Sequence, residues 1–246
     1  MKKLFAALLL VLCNAAAAET VTAAVAANVQ YAFADLAAAF EKESGHTVKP
    51  VYNSSGKLTA QILHGAPFDV FLSADMDFPE KLHRKGFAMA APQPYAYGAL
   101  VLWTLNDLDL SDWRALLASD RVQRIAVANP KLAPYGREAI NALSRLGLDE
   151  TLKPKLVFGE SISQVNQYIH SRSTDAGFTA KSVVLAPQMQ GQGKWIDVPA
   201  DAYQPIAQGF VVLKHGQASP AALAFRDFLG SPSARAIFTR YGYLLP

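Results

Sequence analysis

Hydroxyl- and amide-bearing residues recur where β-rich runs give way to helical patterns. Asn28 follows residues 21–26, and Ser54 and Ser55 follow 48–52. Tyr135 opens a helical pattern after 125–128, and Ser161 opens another after 156–158. None of these is charged; the nearest cation, Lys57, comes one step further on. A helix start exposes unpaired backbone N–H groups and the positive end of the helix dipole, so it holds anions without a charged side chain. The chemistry these residues offer is therefore anion capture by neutral donors. At each position the alternative is an ordinary helix cap, and residue types alone leave both open.

Other chemistries lack their residues. The chain has no G-x-S-x-G nucleophile elbow, no G-x-x-x-x-G-K-[ST] phosphate loop and no G-x-G-x-x-G. Its one cysteine, Cys13, falls in the N-terminal apolar run. His46, His64, His83, His170 and His215 show no metal-ligand spacing and are expected at the surface. Asp75 and Asp77 are read as capping the helix after residues 70–73, not as metal ligands. No cation site, cofactor or catalytic residue is expected. An anion-dependent enzyme on the same fold stays open as a minor alternative.

The elements that would position the donors alternate, which argues for α/β layers. After residues 21–26 a helix is expected through Val29, Phe33, Leu36 and Phe40, spaced 4, 3 and 4, with Asn28 as its cap. A helix through Leu58, Ile62 and Leu63 follows the S-S-G turn and stops at Gly65. Helices through Ile140 and Leu143, and through Val165 and Ile169, follow the later strands, and 176–179 enters a segment at 181–185. Two longer apolar strands, 99–104 and 209–213, are read as crossings between two α/β domains joined by hinge strands. Domain one is expected over 19–97 plus 206–246, and domain two over 98–205, with one helix over 220–241. Trp103 and Trp113 are expected in the core or hinge.

Lys2 and Lys3, the apolar run 4–13 and the A-x-A pattern at Ala16 and Ala18 read as a signal peptide over 1–18, cut before Glu19. Leu12 stands where a lipoprotein signal needs a small residue, so Cys13 is not read as lipidated. Cleavage leaves 228 of the 246 residues, with 21 of the 23 basic residues against 20 acidic ones. That balance gives no footprint for nucleic acid or a membrane surface.

On V-A-A-N-V at 25–29, N-S-S-G-K-L at 53–58, G-A-P-F-D-V-F-L-S-A-D at 65–75, N-P-K-L-A-P-Y-G at 129–136 and R-Y-G-Y-L-L-P at 240–246, the chain resembles the periplasmic molybdate-binding proteins of bacterial ABC transporters. The resemblance covers nearly the whole chain after residue 18. It implies a periplasmic-binding-protein fold (type II-like) that closes over one oxyanion, molybdate or tungstate, and a monomer that delivers it to a membrane permease. Sulfate or another oxyanion is the alternative cargo. The resemblance also implies the contacts: Asn28, Ser55, a backbone N–H at Ala74, Tyr135 and a backbone N–H at Ile162. Ala27 stands where one branch of the family places Thr. Ala180 stands where Ser-type members use Tyr, so the Asn28 and Tyr135 pair fits the Asn-type branch.

Overall fold

The computed structural model describes residues 18–246. Lys2, Lys3, Cys13, Ala16 and the rest of the targeting run through residue 17 lie outside the described residues. Glu19 is tied in: its N–H meets His46 Nδ1 and its carboxylate accepts from Ser219 Oγ.

Two sheets divide the chain into two lobes. The first contains β1 (Thr20–Ala26), β2 (Thr47–Asn53), β3 (Val70–Leu72), β4 (Gln93–Gly98) and β10 (Ile206–Val212), in the order β2-β1-β3-β10-β4. The second contains β5 (Leu100–Thr104), β6 (Ile125–Ala128), β7 (Leu156–Gly159), β8 (Ala176–Ala180) and β9 (Lys194–Asp197), in the order β7-β6-β8-β5-β9. In each sheet three parallel strands carry the helical crossovers, and an antiparallel strand, β10 or β5, closes the set. The chain passes between sheets at Ala99 and returns over 198–205. The two passages pair with each other, Ile206 opposite Gly98.

The helices are α1 (Gln30–Ser44), α2 (Ser55–Leu63), α3 (Asp77–Arg84), α4 (Trp113–Ala118), α5 (Pro134–Arg145), α6 (Asp149–Leu152), α7 (Ile162–His170), α8 (Lys181–Val184), α9 (Pro220–Phe228) and α10 (Pro232–Arg240). None is long and apolar enough to cross a membrane among the described residues. α1 buries Phe33, Leu36 and Phe40, and Phe40 meets Phe225 edge-on at 5.1 Å. α1 ends at Gly45, whose φ of 74° an L side chain resists. α2 sets Leu58 and Ile62 against Phe71, Leu82 and Val211. A continuous core, from Val25 and Phe238 to Tyr135 and Trp103, joins the lobes.

Four expectations are corrected. The strands read as crossings, 99–104 and 209–213, each stay within one sheet, as β5 and β10, and the chain crosses just outside them. The single helix over 220–241 is two, α9 and α10. Pro232 lacks the N–H a continuing helix needs, and Ser231 caps the new start by accepting from Ala234 N. β4 and β9 were not expected; both are edge strands, and the outer side of β4 meets only an isolated bridge from Tyr97 to Leu244, so Pro94 is tolerated there. The strand expected to begin at Gly209 begins at Ile206, which brings Gln208 into the fold's interior. Trp103 and Trp113 are core residues. His64, His170 and His215 are exposed, whereas His46 and His83 are half-buried.

Candidate functional site

The parallel strands β1, β2, β3, β6 and β7 end toward the opposite lobe, where open α/β sheets hold their ligands. The turns after them surround one cavity, lined by Ala26, Ala27, Asn28, Ser54, Ser55, Ala74, Ala133, Pro134, Tyr135 and Ile162. All five residues named from the sequence are therefore brought together, three from one lobe and two from the other. The lining carries no charged side chain. The cavity is small, about 10 Å³. A cavity of about 610 Å³ lies elsewhere, beside Met89, Phe210 and Leu223, but it lacks converging helix starts.

Ser55 is the first residue of α2, so its N–H has no helical acceptor. Its Oγ accepts from Ala74 N at 2.9 Å, which leaves the hydroxyl hydrogen to donate. The Ala74 N–H, expected to face an anion, is thus engaged by Ser55; Ala74 lines the cavity but orients the serine. Ser54 precedes α2 in an extended conformation, yet its side chain makes no capping bond. Its Oγ is buried and has no partner. Gly56 donates its N–H to Leu132 O of the other lobe at 2.9 Å. A Cβ there would lie 3.0 Å from Leu132 Cα.

Asn28 does not cap α1. It sits inside a 3-10 turn, Ala27–Val29, and Val29 precedes α1. Its Nδ2 donates to Gln208 Oε1 at 2.7 Å and Tyr243 Oη at 3.2 Å. Its carbonyl accepts from Ser182 Oγ, across the lobes, at 2.8 Å. Gln208 also accepts from Tyr95 Oη at 2.9 Å and donates to Tyr135 Oη at 3.4 Å. Gln208, Tyr95, Ser182 and Tyr243 were not expected as site residues. The available signal was a glutamine inside the apolar run I-A-Q-G-F-V-V, because a buried polar group needs partners.

Tyr135 stands in the first turn of α5, behind Pro134, and is 1% exposed. Its hydroxyl hydrogen has no acceptor among the described residues. Ile162 opens α7 with its side chain in the core, so only its N–H is available. Ser161 is a true cap, accepting from Gln164 N. Lys57 does not line the cavity; it pairs with Glu160 across the lobes. Arg137 likewise bridges to Asp75 at 3.0 Å and Asp77 at 3.4 Å. Asp75 accepts from Phe78 N in the first turn of α3, from one residue before the cap position Met76, whereas Asp77, also expected to cap, lies inside that turn and makes no capping bond. Burial raises the Asp75 pKa, against the Phe78 and Arg137 bonds that lower it. No cluster of His, Cys, Asp or Glu fit to hold a cation occurs among the described residues.

Burial pushes the Tyr243 hydroxyl up to about 12, with hydrogen bonds to Ser182 and Asn28 pulling the other way. Burial also raises Tyr95 and Tyr135, reinforced by neighbouring tyrosines. An unfolded tyrosine ionises near about 10. The folded state therefore keeps a proton the unfolded state loses. The associated stability is complete below about pH 10 and is lost as pH rises toward about 12. Melting curves stepped over that range, with tyrosinate absorbance, check this. Tyr243 ionising near pH 10 in folded protein would show that the network does not shield it.

A model of bacterial extracellular solute-binding proteins matches residues 21–244. The molybdate-binding protein ModA of Rhodobacter capsulatus is 43% identical over 97% of this chain and 93% of its own length. ModA of Azotobacter vinelandii is 42% identical over 95% of this chain and 93% of its own. The solved periplasmic molybdate-binding protein of Azotobacter vinelandii superposes with a TM-score of 0.87 at 34% identity, covering 92% of this chain and 99% of that one. The chain belongs to the bacterial extracellular solute-binding proteins and, within them, to the molybdate-binding family.

Proposed function

We propose that this protein captures molybdate, and tungstate in the same way, between its two lobes in the periplasm and presents it to the permease of an ABC transporter. The observation that carries the reading is an uncharged cavity into which helix starts of both lobes converge. Ser55 supplies its N–H and hydroxyl, Ile162 its N–H, and Tyr135 its hydroxyl. Asn28 supplies its backbone N–H. Ala74 acts through Ser55. A dianion accepts at every oxygen, so donors suffice.

Both lobes must contribute, so the anion favours the closed form and shifts the population toward it. The Gly56–Leu132, Ser182–Asn28 and Ser163–Gln30 bonds and the Lys57 and Arg137 pairs act as the closing contacts. The crossings at Ala99 and 198–205 act as the hinge, which assigns domain one to 19–97 plus 206–246 and domain two to 98–205. The protein works as a monomeric binder; a cargo recovered chemically unchanged distinguishes it from an enzyme.

Titrations of purified protein with molybdate, tungstate, sulfate and phosphate, followed by tryptophan fluorescence, test the reading. Molybdate and tungstate should bind nearly alike, being close in size. Sulfate is a smaller tetrahedron and leaves donors unpaired in a rigid ring, at roughly 1–3 kcal/mol each. Two such losses weaken it roughly a hundredfold or more. Phosphate carries a proton at neutral pH and would find only hydroxyl oxygens, no carboxylate, to accept it, so it should bind more weakly. Sulfate displacing molybdate at equal concentration would reject molybdate as the cargo and favour a sulfate binder.

A further inference from the structure

We propose that the Ser54 hydroxyl is a further anion-contacting group of this site, a contact additional to those of Ser55, Asn28, Tyr135 and Ile162. Ser54 is 3% exposed and lines the same cavity. Its backbone is placed as a helix cap, φ −66° and ψ 149°, where a serine normally accepts from the second or third N–H of the helix. It makes no such bond. The Gly56 N–H turns away to Leu132 O, and Ser54 Oγ is left with neither donor nor acceptor.

A buried unpaired hydroxyl destabilises a fold, and native structures keep few. Two other buried side-chain atoms share this state, His83 Nδ1 and Thr174 Oγ1, but neither residue lines the cavity. Ser54 alone among them stands where a ligand oxygen would come within reach. The adjacent serine shows the contrast: Ser55 Oγ already serves the Ala74 N–H and keeps one hydrogen for a ligand, whereas the whole bonding capacity of Ser54 is free. Unsatisfied in the closed arrangement without a ligand, the hydroxyl forms a charge-assisted bond when a dianion occupies the cavity. The gain exists only in the occupied state and so contributes to holding the anion.

This inference rests on the oxyanion reading above, and the test separates the two. Sodium molybdate is titrated into purified wild-type protein and the Ser54→Ala variant at neutral pH, and both are melted with and without molybdate. The variant should bind roughly 10- to 150-fold more weakly, the range for a lost bond to a charged group. Without molybdate it should melt no lower than wild type, because the hydroxyl makes no bond within the protein for alanine to remove. Wild-type binding with the variant within threefold of it would overturn the Ser54 contact and leave the oxyanion reading standing. A variant that melts well below wild type without molybdate would show a structural partner for the hydroxyl and overturn the contact too. Wild type failing to bind molybdate would overturn the oxyanion reading itself.

Discussion

Replacing Ser55 with alanine is expected to weaken molybdate binding roughly 10- to 150-fold and, separately, to destabilise the ligand-free protein by about 1–3 kcal/mol. The two effects come from the two roles of one oxygen. Toward the cavity, the hydroxyl donates to the anion, and its loss leaves an anion oxygen unsatisfied in a dry site. Toward the protein, the same oxygen accepts from Ala74 N, and both residues belong to the first lobe. That bond exists with or without ligand, so its loss cancels out of the affinity and appears in stability. Tyr135→Phe should cost less affinity, since the tyrosine hydroxyl is one donor and Gln208 and Asn28 remain around it. The contrast with Ser54→Ala is sharp: neighbouring serines are expected to weaken binding alike, but only Ser55→Ala is expected to lower ligand-free stability. Calorimetric titration with paired melts measures both quantities. Ser55→Ala binding within threefold of wild type would reduce Ser55 to an ordinary first-turn residue.

The parts of this design legible from sequence are those set by local patterns. Strand 125–128, the helix starts after it and after residues 53 and 161, and the stop near Gly65 all follow from apolar period and turn chemistry. The convergence of Asn28, Ser55 and Tyr135 also follows, once parallel strands are seen to end on one side of each sheet, whereas Ala74 and Ile162 were named only through the family resemblance. What stayed hidden was decided at long range. The partner of the Asn28 amide, Gln208, is 180 residues away, and no spacing rule connects them. Ala74's N–H reads as free until its distance to Ser55 Oγ is known. The capping role expected of Asn28 fails because the first turn is 3-10, which shifts the start of α1 past it. The break between α9 and α10 was legible in S-P-S at 231–233, but an apolar pattern running on both sides of it concealed the stop.

Gly98→Ala should leave the empty protein close to wild type in stability while weakening molybdate binding roughly 5- to 150-fold. Gly98 ends β4 at the first crossing between lobes, and a Cβ there would fall within van der Waals reach of Tyr135 Oη and 2.8 Å from its Cζ. Gly98 pairs with Ile206 in the first sheet, at the hinge itself, whereas Tyr135 opens α5 of the second lobe, so hinge opening separates the two and the clash falls mainly on the closed form. The tyrosine has little room to retreat: it is fully buried, and Gly136 beside it already abuts the carbonyl of Ala128. The third neighbour, Gln208 Nε2 at 2.8 Å, is the tip of a side chain in the same lobe and can shift when the cleft is open. Overpacking of this kind costs about 1–3 kcal/mol, here falling mainly on the closed state. A ligand that needs the closed state loses affinity by the same factor. Scattering should show wild type contracting on adding molybdate and the variant contracting only at higher concentrations. Equal affinity in the two proteins would mean that Tyr135 does not approach Gly98 in the occupied form. Closure would then have to seat the tyrosine elsewhere.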